Sequence, residues 1–282
     1  MLVDYTCPKG REMTAQMDRR GDAGAMTLWV RFEARGESGF GTVDGDRVRI
    51  HDGDMFGRAS STGETVALQD VRILTPCEPS KMIGLWNNFH ALADKLGLTP
   101  PEEPLYFLKS PSAFLAHGET IRRPAGYEGP VVYEGELGVV IGKRCSHIGE
   151  AEAADYIFGY TCANDVTAFG ILNRDPSFAQ WSRAKSFDGF GVFGPVIATG
   201  LDPIALSVRT ALNGDERQNY PVSDMFFPPH RLISLISHDM TLMPGDIVIC
   251  GTSVGAGSMK QPENTVEVTI DGIGTLSNTF VN

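Results

Sequence analysis

No stretch of the 282-residue chain approaches the roughly 18 consecutive apolar residues that a membrane-crossing helix requires, so no membrane partner is expected. Cysteine is scarce. Cys7, Cys77, Cys145, Cys162 and Cys250 are scattered, odd in number and nowhere in Cys-x-x-Cys spacing. That argues against a disulfide framework and for a reducing, cytoplasmic setting, with each cysteine a small buried hydrophobe. Positive charge is in deficit, 24 Lys+Arg against 35 Asp+Glu, a net −11. A chain this acidic lacks the clustered cations that bind a phosphate backbone or an anionic lipid surface, so nucleic acid is not an expected partner either. An anionic small molecule stays open, because local charge decides that. The first 25 residues lack an apolar core and do not read as a secretory signal. They read as a disordered N-terminal extension, residues 1–25. There is no fixed-period repeat, and Gly251–Gly257 lacks the following helix and lysine pattern of a phosphate-cradling loop.

What is present is an ordinary globular composition, 42% hydrophobic and 21% charged. Leu28–Phe32, Gly39–Val43 and Arg47–Ile50 are strand-like, and the Asp44-Gly45-Asp46 turn joins the last two as a hairpin. Residues 54–70 are polar and read as a loop with a short element. The Pro-containing segment Thr75–Ser80 marks a boundary between a small N-terminal domain, 26–78, and a larger one, 79–282. In the larger part strands are expected at 82–85, 131–133, 137–141, 160–164, 192–198, 207–212, 247–250 and 266–270. Helices are expected at 90–96, stopped by Gly97, at 151–156 and at 230–237. Many short strands with few helices predict a β-rich α+β fold.

The chemistry concentrates in Tyr133-Glu134-Gly135-Glu136-Leu137. Strand residues two apart share a face, so Glu134 and Glu136 point the same way, beside the apolar run Gly138–Gly142. Two carboxylates at the edge of a core repel each other and lose hydration. A hard divalent cation removes both penalties, and Asp165, at the end of a strand-like run, supplies a third carboxylate. By spacing alone, a solvated strand face explains the pair as well.

A series of segments in fixed order resembles the fumarylacetoacetate hydrolase family. Residues 133–142 and Gly159–Val166 match its metal-binding signature. Phe107–Ser112, Trp181–Asp188, Ser223–Met225, Met240–Val248, Gly251-Thr252 and Gly272–Leu276 follow the family's order. The match covers about residues 81–278. The resemblance implies a mixed β-roll/barrel catalytic domain, a small N-terminal α+β domain and a homodimer. It implies Mg2+ or Mn2+ on Glu134, Glu136 and Asp165, a catalytic Lys185 at the oxo-acid end of the substrate, Lys109 among the substrate-binding residues, and Thr252 on the substrate carboxylate or its metal-bound oxygen. His90 falls on the family's general-base histidine.

Two departures stand out. Position 93, where the family carries the glutamate that acts with the histidine, is Ala, which leaves Asp94, Glu102 or Glu103 to partner His90. The family's substrate arginine is expected at 169, which is Phe, while an Arg-Asp pair reappears as Arg174-Asp175. The implied activity is metal-dependent hydrolysis of a carbon–carbon bond in a small 2-oxo or 1,3-diketo acid of acylpyruvate type, through a metal-stabilised enolate. Decarboxylation or isomerisation of a 2-oxo-dicarboxylate is the alternative on the same site. A non-catalytic relative, or a β-protein with a structural Ca2+, are the readings outside that chemistry.

Overall fold

The computed structural model describes residues 26–282, so the extension expected at 1–25 lies outside the described residues. Its strands form three sheets. The largest has ten strands along one path: Ala59–Ala67, Arg47–Gly53, Glu37–Asp44, Thr27–Ala34, Gly191–Thr199, Ile157–Asp165, Gly135–Ile141, Ile247–Ile249, Met82–Trp86 and Leu105–Lys109. Two short strands join its sides. Neighbours along the path are antiparallel, except that Ile247–Ile249 runs parallel to Met82–Trp86. The N-terminal hairpins therefore extend the sheet of the larger part, through the pairing of Thr27 with Thr199 and Trp29 with Ile197.

A five-stranded sheet, in the order Asp215–Pro221, Ser207–Leu212, Glu263–Ile270, Gly274–Val281 and Thr120–Arg122, packs across the middle of the large one. Thr167–Ala168, Val131–Tyr133 and Gly257–Ser258 form the third. None of the three sheets closes into a barrel among the described residues. The architecture is the β-rich α+β one, without closure.

Burial on both faces explains the apolar runs. Every residue of Gly135–Ile141 is buried. Leu137, Val139 and Ile141 enter the core between the sheets, while Val140 joins Ala163, Phe193 and Ile249 in a second core on the opposite face. A strand covered on both sides reads as continuously hydrophobic rather than alternating.

Helix α1 spans His90–Leu96 as expected, and Gly97 ends it in the left-handed conformation at φ 64°. Helices α2, Phe169–Leu172, and α3, Trp181–Lys185, are short, and α4 is Pro229–Asp239. Two expectations need correction. The helix expected at 151–156 is a tight three-residue-per-turn segment, Glu150–Asp155, closed by Tyr156 N–H on Ala153 O. Residues 54–70 are not chiefly loop, because Ala59–Ala67 is a full strand pairing with Arg47–Gly53. Its side chains are mostly exposed, so it shows no hydrophobic alternation and is held by its backbone ladder.

Candidate metal centre

The antiparallel register builds the centre. Glu136 pairs with Ala163 and Gly135 with Asn164. The next step sets Glu134 opposite Asp165, where Asp165 N–H donates to Glu134 O at 2.8 Å. Glu134 and Glu136 are two residues apart on one strand, and Asp165 lies across from the first and diagonal to the second. All three carboxylates thus share one sheet face. Ligand oxygens from the three lie within 4.8 Å of one another. Glu136 and Asp165 are each 1% exposed.

Two lysines converge on them. Lys109, 1% exposed, ends the edge strand Leu105–Lys109, and its ammonium donates to Asp165 Oδ1. Lys185, the last residue of α3, donates to Asp165 Oδ2 and, at 2.6 Å, to Glu134 Oε2. Its Nζ also lies 4.8 Å from the centre of the Phe107 ring, which stacks on Trp181 at 5.6 Å. Trp181 in turn meets Trp86 at 5.1 Å. Phe107 lies so close over Gly84 that a Cβ there would sit 2.4 Å from the ring, so only glycine fits beneath it.

The charges are unevenly balanced, three carboxylates against two ammoniums. Burial, with Asp165 nearby, pushes Glu136 well above the usual carboxylate range, and burial also raises Glu134 against the pull of Lys185. Burial would raise Asp165 too, but Lys109 and Lys185 overcome it and hold that carboxyl low. Burial pushes the Lys109 ammonium down. It acts the same way on Lys185, where the carboxylates of Asp165, Glu134 and Glu136 reverse it and keep the amine charged. One negative charge in excess, on oxygen donors withdrawn from water, fits a hard divalent cation. Glu134, Glu136 and Asp165 are the residues that would hold it.

The other expected residues fare differently. Thr252 is near the centre, but its hydroxyl donates to Gly135 O at 2.9 Å and accepts from Gln218 Nε2 at 2.8 Å. In this geometry the one proton of Thr252 Oγ1 is directed to the Gly135 carbonyl. His90 opens α1 on the surface, its ring 4.0 Å from that of Phe226. Asp94, Glu102 and Glu103 are also exposed, and no hydrogen bond joins any of them to His90. Arg174 is exposed, and among the described residues no hydrogen bond or ion pair ties its guanidinium to the carboxylates. Phe169 is 55% exposed.

Sequence reasoning assigned no role to the groups that carry His90. Asn88 Nδ2 donates to Cys250 O at 2.9 Å, and its Oδ1 accepts from Phe227 N–H at 2.9 Å. Asp224 Oδ2 accepts from Ala91 N–H at 3.0 Å. Gln218 and Tyr220 were missed as well, although two isolated buried positions in a polar strand are a visible signal once that strand is recognised.

The profile described as fumarylacetoacetate (FAA) hydrolase C-terminal matches residues 81–281, and one described as Rv2993c-like, N-terminal, matches residues 28–76. The chain belongs to the fumarylacetoacetate hydrolase family. Oxaloacetate tautomerase YisK of Bacillus subtilis is 37% identical over 225 residues, 75% of this chain and 74% of the relative. The crystal structure of 2-hydroxyhepta-2,4-diene-1,7-dioate isomerase from Mycobacterium marinum is 36% identical with a TM-score of 0.82, covering 91% of this chain and 98% of that one. Fumarylpyruvate hydrolase from Pseudomonas aeruginosa, solved with Mn2+ and pyruvate, is 25% identical with a TM-score of 0.68, covering 74% and 91%. Family members of different activities thus share this fold. Among the described residues no helix is long and apolar enough to cross a membrane.

Proposed function

We propose that the protein is a Mg2+- or Mn2+-dependent enzyme that forms and reprotonates the enol of a small 2-oxo acid, a tautomerase or isomerase reaction. The observation that carries this reading is an asymmetry. The groups suited to stabilising an enolate lie together, Glu136, Asp165, Lys109 and Lys185 buried and Glu134 half-buried. The groups suited to activating a water are not: His90 and Asp94 are exposed and unjoined, and position 93 is a buried alanine. The names of the Bacillus subtilis tautomerase and the Mycobacterium marinum isomerase favour the same chemistry.

A divalent cation held by the three carboxylates would supply Lewis-acid pull on the oxo and carboxylate oxygens of the substrate. Of the chain's own residues, His90 would take the C3 proton and return it to the enol. Lys185, kept charged by its neighbours, provides a fixed positive charge that favours an oxyanion over a neutral ketone. Lys109 restrains Asp165 from the side opposite Lys185. Burial excludes water, which strengthens each of these interactions.

A second reading is hydrolysis of an acylpyruvate, favoured by His90 at the start of a helix anchored through Asn88 and Asp224, and by the fumarylpyruvate hydrolase neighbour. The test is proton NMR in D2O with Mg2+ or Mn2+, using oxaloacetate, 2-oxobutyrate and acetylpyruvate, beside a Glu136→Gln control. Accelerated deuterium uptake at C3 without cleavage, absent in the control, is the expected result. Pyruvate and acetate from acetylpyruvate would move the assignment to hydrolysis, and pyruvate with CO2 from oxaloacetate to decarboxylation. Tight Mn2+ binding with no exchange and no cleavage would overturn all of these readings.

A further inference from the structure

The strand Asp215–Pro221 is the outer strand of the five-stranded sheet, and its sequence, Asp-Glu-Arg-Gln-Asn-Tyr-Pro, has almost nothing to bury. Only Gln218 and Tyr220 turn inward, 1% and 4% exposed. Burying an amide and a phenol together is costly unless each polar atom is paired. Here both pair with the same residue, Gly135, which separates Glu134 from Glu136.

Gly135 needs such partners. The ladder bond from Asp165 N–H to Glu134 O leaves the N–H and C=O of Gly135 turned away from the strand Ile157–Asp165. On the other side the strand Ile247–Ile249 has already ended, pairing only with Gly138, Val139 and Val140. Side chains replace the missing strand. Gly135 N–H donates to Gln218 Oε1 at 3.0 Å, and Gly135 O accepts from Tyr220 Oη at 2.5 Å and Thr252 Oγ1 at 2.9 Å. Gln218 Nε2 then donates to Thr252 Oγ1 at 2.8 Å and Ser253 O at 3.3 Å. One residue earlier, Gly251 N–H donates to Glu136 Oε2 at 2.8 Å. One amide therefore holds both the backbone between the two glutamates and the loop that orients one of their carboxylates.

We propose that Gln218 and Tyr220 are positioning residues for the divalent cation, setting the aim of Glu134 and Glu136 through Gly135 and the 251–253 loop. This rests on the metal reading above. Outer residues that orient ligands typically change metal affinity by about 10–100-fold. Neither side chain touches the cation or the substrate in this scheme.

The test is Mn2+ binding to the full chain, followed by electron paramagnetic resonance, for the wild type, Gln218→Leu, Gln218→Glu, Tyr220→Phe and Glu136→Gln. Melting temperature in EDTA is read in parallel. Gln218→Leu is expected to weaken Mn2+ by about 10–100-fold and to change the spectrum of the bound ion. Gln218→Glu keeps the acceptor for Gly135 N–H and should recover part of the loss. Tyr220→Phe removes one oxygen and should weaken Mn2+ roughly tenfold, which decides the matter if the leucine variant does not fold. A purely structural role would lower the melting temperature in EDTA and leave Mn2+ affinity and spectrum unchanged, and that result overturns the proposal. A wild type that ignores Mn2+ overturns the metal reading itself, and this one with it.

Discussion

Replacing Lys185 with methionine tests the electrostatic account of the centre most directly. The ammonium bonds Glu134 Oε2 and Asp165 Oδ2, and its side chain is 3% exposed. Methionine keeps the length and apolar stem and removes only the charge and its donors. The metal-free cluster then holds three carboxylates against Lys109 alone. Removing one partner of a buried pair costs about 3–5 kcal/mol, with no solvent to soften the loss. At about 2–4 °C per kcal/mol for a chain of this size, the melting temperature in EDTA should fall by roughly 6–20 °C. Mn2+ should change the picture. Lys185 and a cation are drawn to the same oxygens, so the ammonium opposes metal binding. Two unit charges 4 Å apart interact by about 4 kcal/mol at an intermediate dielectric, so losing the repulsion should tighten Mn2+ at least tenfold after relaxation. Scanning fluorimetry in EDTA and across a Mn2+ titration reads both numbers. Saturating Mn2+ should recover more stability in Lys185→Met than in the wild type, while C3 exchange is lost. A variant that melts like the wild type in EDTA, or that binds Mn2+ more weakly, would refute the reasoning.

Three further outcomes follow from the same geometry. Glu134 and Glu136 hold protons more tightly folded than unfolded, so in EDTA their contribution favours the folded state below their ordinary value of 4.5 and is lost as pH rises through their elevated values. Asp165 acts oppositely, stabilising above its ordinary 3.8 and losing that below. Fluorimetry should therefore show the EDTA-treated protein losing this contribution as pH rises above the ordinary carboxylate value of 4.5, and Mn2+ reversing the slope because its ligands must be deprotonated. Gly135→Ala places a Cβ 2.0 Å from Thr210 Oγ1 and 3.2 Å from Val268 Cγ2, which should cost about 1–3 kcal/mol in chemical denaturation and also weaken Mn2+. Asp246, fully buried, accepts from Ser80 N–H, Ser80 Oγ, Lys81 N–H, Met243 N–H and the Lys81 ammonium. Asp246→Asn should cost about 3 kcal/mol while Mn2+ affinity stays at the wild-type value.

How far the sequence could be read depended on how local each signal was. The common face of Glu134 and Glu136 follows from alternation within one strand, and the end of α1 follows from Gly97, one residue beyond it. The placement of Asp165 opposite Glu134 depends on a pairing between residues 31 apart, which no local pattern states; its position at the end of a strand-like run made it a candidate, and the family's motifs matched it to the metal set. The same holds for Lys109 and Lys185, which reach one carboxylate from an edge strand and a short helix. Strands Ala59–Ala67 and Asp215–Pro221 went unseen because their exposed or polar side chains show no hydrophobic alternation. Each is fixed by its neighbours' backbone, and in the second case by two buried polar groups. A search for hydrophobic alternation is blind to such a strand by construction.

On the proposed reading, the division between enol chemistry and hydrolysis lies in α1 rather than in the metal centre. Asn88 fixes the chain just before the helix to the sheet, Asp224 binds its first turn, and Phe226 packs on the His90 ring. These contacts orient the face that His90 presents. Within the same helix Ala93 is 1% exposed while His90 and Asp94 are exposed, so a carboxylate at position 93 would have to be buried at a desolvation cost. The acid that pairs with the histidine elsewhere in the family thus has no comfortable place in this packing. Orienting a water for attack on a second carbonyl would fall to Asp94 or the 102–103 acids, none of which bonds His90. Forming and reprotonating an enol needs no such water. On the proposed reading, His90 carries the proton without the paired acid that activation of a water would use.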